Sequence, residues 1–399
     1  MKKALFFLAL INLFGFKNHT QMIELNGWWD AELSISASKS IQFKMWFHNS
    51  KVYLVNGSEK MEMLPIRLTS NPDSFIIEHP VFDSYLVLNK SKIRIQGYFK
   101  DNSRKGDYRL PLTLKRTSNT GATPANTGFS RWQCTFDTAQ NEYPAIAEFT
   151  FAQNEITGTI LTETGDYRYL AGKRLPNDSF YLSCFDGSHA FLFEGKMKDD
   201  KISGIFYSGN HWQTTWTAFK NPDAALKGGF ELTKITSSQP IQLSFLDEQK
   251  KVVSLGDSQY LQEPIVIQIM GTWCPNCLDE TRFLVELYNQ SELKPKIIAL
   301  CFERGDDQQI QWERINKVKR NLNVPYPMLL AGKADKDAAT KLFPFLDKIS
   351  SFPTTLFLNK NHEVVGIHTG FNGPATGEKF TQQSLEFKEL IQVLSATKY

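Results

Sequence analysis

Apolar and polar positions alternate along most of the first half of the chain, from residue 24 to residue 219. Short alternating runs at 41–45, 51–55 and 92–95 are separated by turn-forming residues such as Asn56-Gly57. Because successive side chains of a strand point to opposite faces, a period of two predicts strands with one face in a core and the other in water. This part of the chain is therefore predicted to be antiparallel β structure.

The alternating pattern occurs twice. Residues 22–118 and 129–222 each form one predicted β unit, and the polar stretch 119–128 links them. The residues at 73–75 recur unchanged at 178–180. We therefore predict a tandem duplication of one β-meander of about eight strands. Closure of each unit into a small up-and-down barrel would remove the exposed strand edges, and a pair of open sandwiches is the alternative.

The pattern changes period after residue 235. Continuous apolar runs there predict buried strands, and i, i+3, i+4, i+7 spacing predicts helices with one apolar face. The predicted elements are a hairpin at 241–255, strands at 265–270 and 296–302, helices at 275–290, 306–322 and 335–342, a hairpin at 354–368, and a last helix carrying Phe387, Leu390, Ile391 and Leu394. The fold class is thus α+β multidomain: two tandem antiparallel β-meander, barrel-like domains followed by an α/β domain at 235–399.

The N-terminus and the overall charge limit the location and the partners. Lys2 and Lys3 precede an apolar stretch at 4–16 that is shorter than the ~20 residues needed to span a bilayer. We predict a signal peptide at residues 1–21 and a periplasmic or cell-envelope protein; a buried N-terminal helix is the alternative. The net charge is only +3, and no Lys/Arg cluster with interleaved aromatic residues occurs, which argues against a nucleic-acid partner.

The cysteines are the main candidates for chemistry. Cys274 and Cys277 are separated by two residues and lie between a predicted buried strand and a predicted helix. The unpaired N–H groups and the partial positive charge of a helix N-terminus favour the thiolate form of Cys274. The short spacing allows Cys277 to attack a mixed disulfide formed by Cys274. These two residues are therefore the predicted redox-active dithiol.

The other three cysteines indicate no further site. A zinc site would need a second pair of ligands at fixed spacing, and the chain has no other Cys-x-x-Cys and no His-x-x-x-His. Cys301 falls in an apolar run and is predicted to be a buried thiol. A disulfide between Cys134 and Cys184, both in the second β unit, is left open because it requires adjacent Cβ atoms. No cofactor and no metal ion are predicted.

Two segments of the α/β domain resemble a known family. Residues 273–277 read Trp-Cys-Pro-Asn-Cys, and Phe352-Pro353 is followed by two threonines. With the strand before the motif, these segments resemble the thioredoxin fold, and more closely the exported thiol-disulfide reductases of the TlpA/ResA type. Residues 370–374 are similar to the ends of such domains in Bacteroidetes-type envelope proteins. The resemblance covers residues 235–399.

The resemblance implies a role for each of these residues. Cys274 would be the exposed attacking thiol and Cys277 the buried resolving thiol. Pro353 would follow a cis peptide bond and, together with Phe352 and Trp273, would line the place where a substrate binds. The expected substrates are disulfide-containing envelope proteins, and a membrane electron donor would reduce the enzyme again.

Two positions near the motif depart from thioredoxin. The acidic residue that thioredoxin carries in the strand before the motif would fall at Gln268, which does not titrate. Glu303 follows the predicted strand at 296–302, where the ResA-like members carry a buried glutamate. Such a carboxylate would take the proton of Cys277 during the second step. The alternative is that Glu303 is a solvated strand-end residue beside Arg304.

The predicted function is an exported thiol-disulfide oxidoreductase that reduces disulfides of envelope proteins. Its direction depends on thiol pKa and reduction potential, which the sequence leaves open. A thiol peroxidase is disfavoured, because the related peroxiredoxins need Thr or Ser three residues before the reactive cysteine, where this chain has Gly271. The other alternative is a ligand- or partner-binding β module with an auxiliary redox domain. An apolar cavity in a β unit would favour that alternative, and a filled core would count against it.

Overall fold

The computed structural model describes residues 25–90, 94–120, 128–137, 142–237, 240–290 and 295–396. The predicted signal peptide and most of the predicted linker lie outside these residues. Within them, no helix combines the length and the apolar character needed to cross a membrane. The residue boundaries of the predicted domains stay predictions.

The first β unit is one open antiparallel sheet of nine strands. Its strands are β1 (Gly27–Ser34), β2 (Ser40–His48), β3 (Lys51–Asn56), β4 (Glu59–Glu62), β5 (Arg67–Leu68), β6 (Ser74–Glu78), β7 (Ser84–Lys90), β8 (Ile95–Asp101) and β9 (Arg109–Thr117). Their order in the sheet is β4-β3-β2-β1-β9-β8-β7-β6-β5. Since β4 and β5 lie at opposite ends of this order, the sheet forms a half-barrel.

The second β unit also has nine strands, but most of them close into a barrel. They are β10 (Gly128–Asp137), β11 (Glu142–Ala152), β12 (Glu155–Thr162), β13 (Gly165–Asp166), β14 (Leu170–Arg174), β15 (Ser179–Phe185), β16 (Ala190–Lys198), β17 (Lys201–Ser208) and β18 (Trp212–Lys220). The order is β11-β10-β18-β17-β16-β15-β14-β12-β13, and β11 also pairs with β12. That extra pairing closes a ring of eight strands.

The two units agree with the predicted duplication in the order of their strands. In each unit the first strand pairs with the last, β1 with β9 and β10 with β18. The repeated segments at 73–75 and 178–180 lead into the sixth strand of each unit, which begins at Ser74 in one and at Ser179 in the other. The prediction of a barrel is confirmed for the second unit and is wrong for the first.

The alternation in the sequence becomes an alternation in burial. In β2, Ile41, Phe43, Met45 and Phe47 are buried, and the residues between them are more exposed. Such strands form because one face of the pleat is removed from water while the other stays hydrated.

Aromatic side chains fill the interior of the barrel. Phe136, Phe193, Phe206 and Trp216 are almost completely buried. The rings of Phe193 and Phe206 are stacked with centroids 4.3 Å apart, and Phe136 meets Phe193 edge-to-face at 6.1 Å. Offset and edge-to-face contacts of this kind are the favourable aromatic geometries. The barrel core is therefore packed rather than hollow.

The barrel covers the open side of the half-barrel. Phe185, the last residue of β15, belongs to the core of the first unit, where its ring centroid lies 4.8 Å from those of Phe43 and Phe99. The Asn56 side chain donates to the Phe185 carbonyl at 2.9 Å and accepts from the Phe185 N–H at 3.0 Å. Burial of a phenylalanine contributes about 1.5–3 kcal/mol. A residue of the second unit therefore stabilises the first.

The remaining elements include both strands and helices. The strands are β19 (Ser244–Leu246), β20 (Val252–Ser254), β21 (Ile265–Met270), β22 (Lys296–Glu303), β23 (Met328–Lys333), β24 (Thr354–Leu358) and β25 (Val364–Thr369), and the helices are α1 (Pro275–Gln290), α2 (Gln308–Asn321), α3 (Lys336–Leu342) and α4 (Glu378–Ala396). One sheet has the order β23-β22-β21-β24-β25, in which β21, β22 and β23 are parallel and the β24–β25 hairpin is antiparallel to β21.

Burial explains the position of β21 at the centre of this sheet. All six of its residues are buried, as expected for a strand covered on both faces. The Asp307 and Asp335 side chains accept backbone N–H bonds at the starts of α2 and α3, which places these helices one or two residues inside the predicted bounds. Helix α1 has the predicted bounds.

Candidate active site

The Cys-x-x-Cys motif lies where β21 passes into α1. Strand β21 ends at Met270, and α1 begins at Pro275, whose missing N–H suits the first helical turn. The N–H of Leu278 donates to the Cys274 carbonyl at 3.1 Å, so Cys274 occupies the N-cap position. The sulfurs of Cys274 and Cys277 lie at disulfide-bond distance, with the two Cα atoms 5.2 Å apart. The motif is thus a vicinal pair able to form a disulfide.

The two sulfurs differ in their surroundings. Cys277 is completely buried, whereas Cys274 keeps 7% of its surface exposed. The backbone N–H of Cys277 donates to Cys274 Sγ at 3.2 Å, and this sulfur lies 3.5 Å from the Phe352 carbonyl oxygen. A sulfur that accepts an N–H bond at a helix N-terminus is stabilised as the thiolate. These contacts favour Cys274 over Cys277 as the reactive sulfur.

The predicted substrate-binding residues lie together beside Cys274. The peptide bond between Phe352 and Pro353 is cis, as the resemblance implied. Trp273 meets Phe352 edge-to-face with ring centroids 5.9 Å apart. The Arg304 guanidinium lies over the Trp273 ring, 4.3 Å from the ring centroid. Trp273, Phe352 and Pro353 thus form one wall next to the dithiol, and their binding role stays a prediction.

Glu303 is completely buried at the end of β22, so the alternative of a solvated residue is wrong. Its Oε1 accepts the backbone N–H of Thr272 at 2.8 Å, and its Oε2 accepts the Thr272 hydroxyl at 2.7 Å. Burial raises the pKa of Glu303 to about 7, although both hydrogen bonds oppose the rise. The Glu303 carboxyl therefore holds Thr272, which lies two positions before Cys274.

A second buried carboxyl, Glu280, is absent from the predicted site. It lies in α1 and accepts hydrogen bonds from Thr355 Oγ1 at 2.6 Å and from Gln268 Nε2 at 2.9 Å. Gln268 Nε2 also donates to the Cys277 carbonyl at 3.1 Å, so it joins Glu280 to the second cysteine. Burial raises the pKa of Glu280 to about 7. Helical spacing was the available signal, because an acid three residues after Cys277 falls on the same buried face.

The remaining cysteines are free and buried. Burial raises the pKa of Cys134 to about 12 and raises the pKa values of Cys184 and Cys301 well above their usual range. Thiols that stay protonated are poor nucleophiles. The prediction of a buried thiol at Cys301 is confirmed, and Cys134 and Cys184 do not form a disulfide.

Cys274 lines a cleft of about 190 Å³ between the barrel and the α/β part of the chain. Trp273, Cys274 and Ser351 line one side, and Thr164, Tyr167 and His189 line the other. A molecule that reaches Cys274 therefore also meets the barrel.

The β12–β13 turn of the barrel packs on the motif. The Thr164 carbonyl accepts the Phe371 N–H at 3.4 Å, and a side chain at Gly165 would collide with Asn276. Asn276, which lies between the two cysteines, donates from Nδ2 to the Phe371 carbonyl at 3.0 Å. The turn, the motif and the loop after β25 are thus joined directly.

One buried arginine connects the three parts of the chain. Arg168 follows β13, and its Nη1 lies 2.7 Å from Asp279 in α1, its Nη2 2.5 Å from Glu59 in the half-barrel, and its Nε 3.6 Å from Asp186 in the barrel. Burial opposes the charged form, but these carboxylates raise the pKa of Arg168 well above its usual value. The guanidinium therefore stays charged and holds both β units to the helix of the motif.

Comparisons with known proteins find similarity among solved structures. No protein-family model matches the chain, and no curated protein matches it. Among solved structures, it is similar to a thioredoxin-family thiol:disulfide interchange protein from Chlorobium tepidum TLS, at 14% identity over 41% of this chain and 98% of that one, with a TM-score of 0.31. It is also similar to a DsbF homologue from Corynebacterium diphtheriae (17% identity, 44% and 98% covered, TM-score 0.31) and to a secreted thiol-disulfide isomerase from Corynebacterium glutamicum (15%, 44% and 96%, 0.32). Similarity at this level assigns no activity, so the case for a function depends on the site.

Proposed function

We propose that the protein is a thiol-disulfide oxidoreductase whose redox centre is the Cys274–Cys277 pair in a thioredoxin-like domain. The observation that carries this proposal is the pair at disulfide-bond distance at the N-terminus of α1, beside the cis-proline Pro353. The sheet order β23-β22-β21-β24-β25, with three parallel strands and an antiparallel hairpin, supports a thioredoxin-like fold. Export, reduction of envelope-protein disulfides and re-reduction by a membrane electron donor are finer parts of the proposal and rest on the resemblance.

The first step of the proposed reaction uses Cys274. Its thiolate attacks one sulfur of a substrate disulfide, the substrate S–S bond breaks, and the second substrate sulfur departs with the electron pair. The Cys277 N–H, 3.2 Å from Cys274 Sγ, and the helix N-terminus stabilise the attacking thiolate.

The second step uses Cys277. Its sulfur loses a proton and attacks Cys274 Sγ, which releases the substrate thiol and leaves the Cys274–Cys277 disulfide. Because Cys277 is completely buried, its proton needs an acceptor within the protein. We assign this role to Glu280, which has a pKa of about 7 and is joined through Gln268 to the Cys277 carbonyl. Glu303, predicted for the role, accepts hydrogen bonds from Thr272 at both carboxylate oxygens, and its part in this step stays a prediction.

The alternatives have weaker support. The Thr272 hydroxyl donates to Glu303, so it is engaged rather than free to bind a peroxide. The barrel interior is filled by aromatic rings, and the cleft of about 400 Å³ between the two β units is lined by charged residues such as Asp30, Lys115 and Lys173. Within the part of the chain that the structure describes, no group of three or more His, Cys, Asp or Glu residues is arranged to hold a metal ion.

The reduction potential of the purified protein is the first test. Equilibration with dithiothreitol or glutathione buffers should give one reversible two-electron transition, and a value near about −270 mV would support a reductase, whereas one near about −120 mV would support an oxidant. A Cys134→Ala control should give the same potential. Failure of the Cys274–Cys277 pair to form a reversible disulfide would contradict the proposal.

Substitution of each cysteine separates the two steps. Cys277→Ser should accumulate a mixed disulfide between Cys274 and a substrate, detectable by mass spectrometry, because the resolving sulfur is missing. Cys274→Ser should form no such adduct. A Cys301→Ala control should turn over like the wild type, and equal trapping by the two serine variants would refute the assigned order of attack.

The raised pKa of Glu280 predicts a pH dependence of stability. Its folded-state pKa of about 7 exceeds the usual 4.5, so the folded protein binds this proton more tightly than the unfolded chain does. The resulting stability is fully present below about pH 4.5 and is lost as the pH rises to about 7. In Glu280→Gln, the free energy of unfolding in urea should gain about 3 kcal/mol relative to the wild type between pH 4 and pH 8. The exposed Glu313→Gln control should show no such gain, and the same result for both variants would disprove the prediction.

A further inference from the structure

The turn between β15 and β16 faces the dithiol across the cleft. His189 lines the same cleft as Cys274 and Trp273. The preceding residue, Ser188, donates from Oγ to the Trp273 carbonyl at 3.3 Å, which places this turn against the motif. The exchange steps given above use no residue of the barrel, although the barrel forms one wall of the place where they occur.

Asp186 and Phe191 lie against the His189 side chain. The backbone N–H of His189 donates to Asp186 Oδ1 at 2.6 Å, and His189 Nδ1 lies 3.4 Å from Asp186 Oδ2. The ring also stacks on Phe191, with centroids 4.5 Å apart. Nδ1 is buried and faces Asp186 Oδ2 without a hydrogen bond between them, while 28% of the side chain remains exposed. The exposed edge of the imidazole is therefore the one that carries Nε2.

The carboxylate beside this ring is ionised although it is completely buried. Burial opposes the charge of Asp186, but His189 and Arg168 hold the pKa of this carboxyl below its usual range. The Ser188 N–H also donates to Asp186 Oδ1, at 2.8 Å. With Nδ1 beside this carboxylate, Nε2 is the ring nitrogen left on the side of the cleft. The arrangement suits transfer of a proton at Nε2.

Charged and titratable groups from every neighbouring element surround this pair. They are Asp166 and Arg168 after β12, Glu59, His79 and Arg104 in the half-barrel, His211 before β18, and Asp279 and Arg304 in the α/β part. Arg168 also forms ion pairs with Glu59 and Asp279. Its single positive charge is therefore divided among three carboxylates, of which Asp186 is one.

We propose that His189 donates a proton to the departing sulfur of the substrate, so that the redox site is shared between the barrel and the α/β domain; this rests on the proposed function. As the Cys274 thiolate bonds to the near sulfur, the substrate S–S bond breaks, and its electron pair goes to the far sulfur. That sulfur takes the Nε2 proton of the His189 imidazolium and leaves as a thiol. Water in the cleft returns a proton to Nε2, and an external dithiol later reduces the Cys274–Cys277 disulfide.

The test compares two disulfides that differ in their leaving group. Oxidised glutathione releases a basic alkyl thiolate, which benefits from protonation, whereas a nitro-substituted aromatic disulfide releases a weakly basic one. Stopped-flow mixing with the dithiothreitol-reduced protein gives a second-order rate constant for each. In His189→Gln the constant should fall about 100-fold for oxidised glutathione and less than about twofold for the aromatic disulfide.

The pH profile sharpens the test. The ratio of the two rate constants, glutathione over aromatic, cancels the titration of Cys274, which both reactions share. This ratio should fall with rising pH in the wild type and stay flat in His189→Gln. His211→Gln is the matched control, since His211 lies nearby but is not among the residues that line the cleft, and it should behave like the wild type.

Three results would overturn the proposal. Equal losses for both disulfides would indicate a steric or folding role for His189. Unchanged rate constants in His189→Gln would remove any role in the reaction. A wild-type protein that reduces neither disulfide would refute the proposed function itself, and with it the proton transfer. The reduction potential of His189→Gln should equal that of the wild type, which separates a loss of rate from a loss of driving force.

Discussion

The half-barrel and the barrel share an order of strands but differ in closure. In the barrel, the third strand, β12, pairs with both β11 and β14, and this closes the ring. The third strand of each unit also pairs with the short strand that follows it, β12 with β13 and β3 with β4, but among the described residues β3 does not pair with β5, the counterpart of β14, so the half-barrel stays open. One additional strand pairing, between β12 and β14, therefore distinguishes the barrel from the half-barrel.

The reason for the difference lies in what covers the inner face of each sheet. The barrel fills its own interior with rings such as Phe193 and Trp216. The half-barrel receives Phe185 and Leu192 from the outer wall of the barrel. An apolar sheet face must be buried against something, and a second sheet serves as well as closure. Duplicated sequence patterns thus produced equivalent strands, and the presence of a neighbour made closure of the first unit unnecessary.

The two units also differ in their relation to the dithiol. The barrel lines the cleft in front of Cys274. The half-barrel instead braces α2, where Arg314 lies 2.9 Å from Asp83 and Lys317 donates to the Phe82 carbonyl at 2.7 Å. The barrel is therefore part of the candidate site, and the half-barrel supports it from outside.

The largest effect is expected where the units are held together by buried charge. Arg168→Met removes the guanidinium and leaves Glu59, Asp186 and Asp279 buried without it, at a cost near the upper end of about 3–5 kcal/mol. Lys39→Met is the control, because its ion pair with Glu194 also joins the two units but is about a third exposed, and it should cost less than about 1 kcal/mol. Urea unfolding measures both, and similar losses would contradict the importance of burial.

Cavity-forming substitutions in the two cores test which core each phenylalanine stabilises. Phe185→Ala should cost about 3–5 kcal/mol and should lower hydrogen-exchange protection mainly in the half-barrel, since the ring lies in that core. Phe193→Ala should cost a similar amount but lower protection in the barrel. If Phe185→Ala leaves the half-barrel protected, the open sheet is stable without the barrel wall, and the comparison fails.

The smallest effect is expected from the polar link between the units. Asn56→Ala leaves the buried N–H and C=O of Phe185 without their partner and should cost about 1–3 kcal/mol. Asn102→Ala, which removes an exposed hydrogen bond to Asp83, should stay within about 0.5 kcal/mol. Thermal unfolding measures the difference, and equal shifts for the two variants would argue against a specific role of Asn56.

Local sequence patterns were sufficient to predict the strands, the helices and the dithiol. Alternation located the strands, and the spacing of apolar residues located α1 at its observed bounds, because both depend on neighbouring residues only. The same holds for Cys274 and Cys277, whose spacing and position after a buried run define a possible disulfide. The burial of Cys301 followed from the apolar run around it.

Local sequence patterns do not predict contacts between segments that are distant in the chain. Helical spacing places Glu280 on the buried face of α1, but its pKa of about 7 arises from desolvation in the folded protein, where Gln268 of β21 and Thr355 of β24 contact it. The sequence left a solvated Glu303 open as the alternative, and only the tertiary structure shows the residue buried with both carboxylate oxygens bound to Thr272. Closure of one β unit and not the other depended on the pairing of β12 with β14.

The periodicity and the cysteine spacing determined which strands, helices and thiols the protein has, because these follow from side-chain direction and short-range geometry. The tertiary structure decided which apolar face covers which, where the barrel meets the motif, and which buried acids take a pKa near neutrality. Those outcomes depend on desolvation and on contacts such as Arg168 with Asp279 and His189 with Asp186. Burial and long-range pairing have no signature in a single stretch of sequence, so they appear only once the chain is folded.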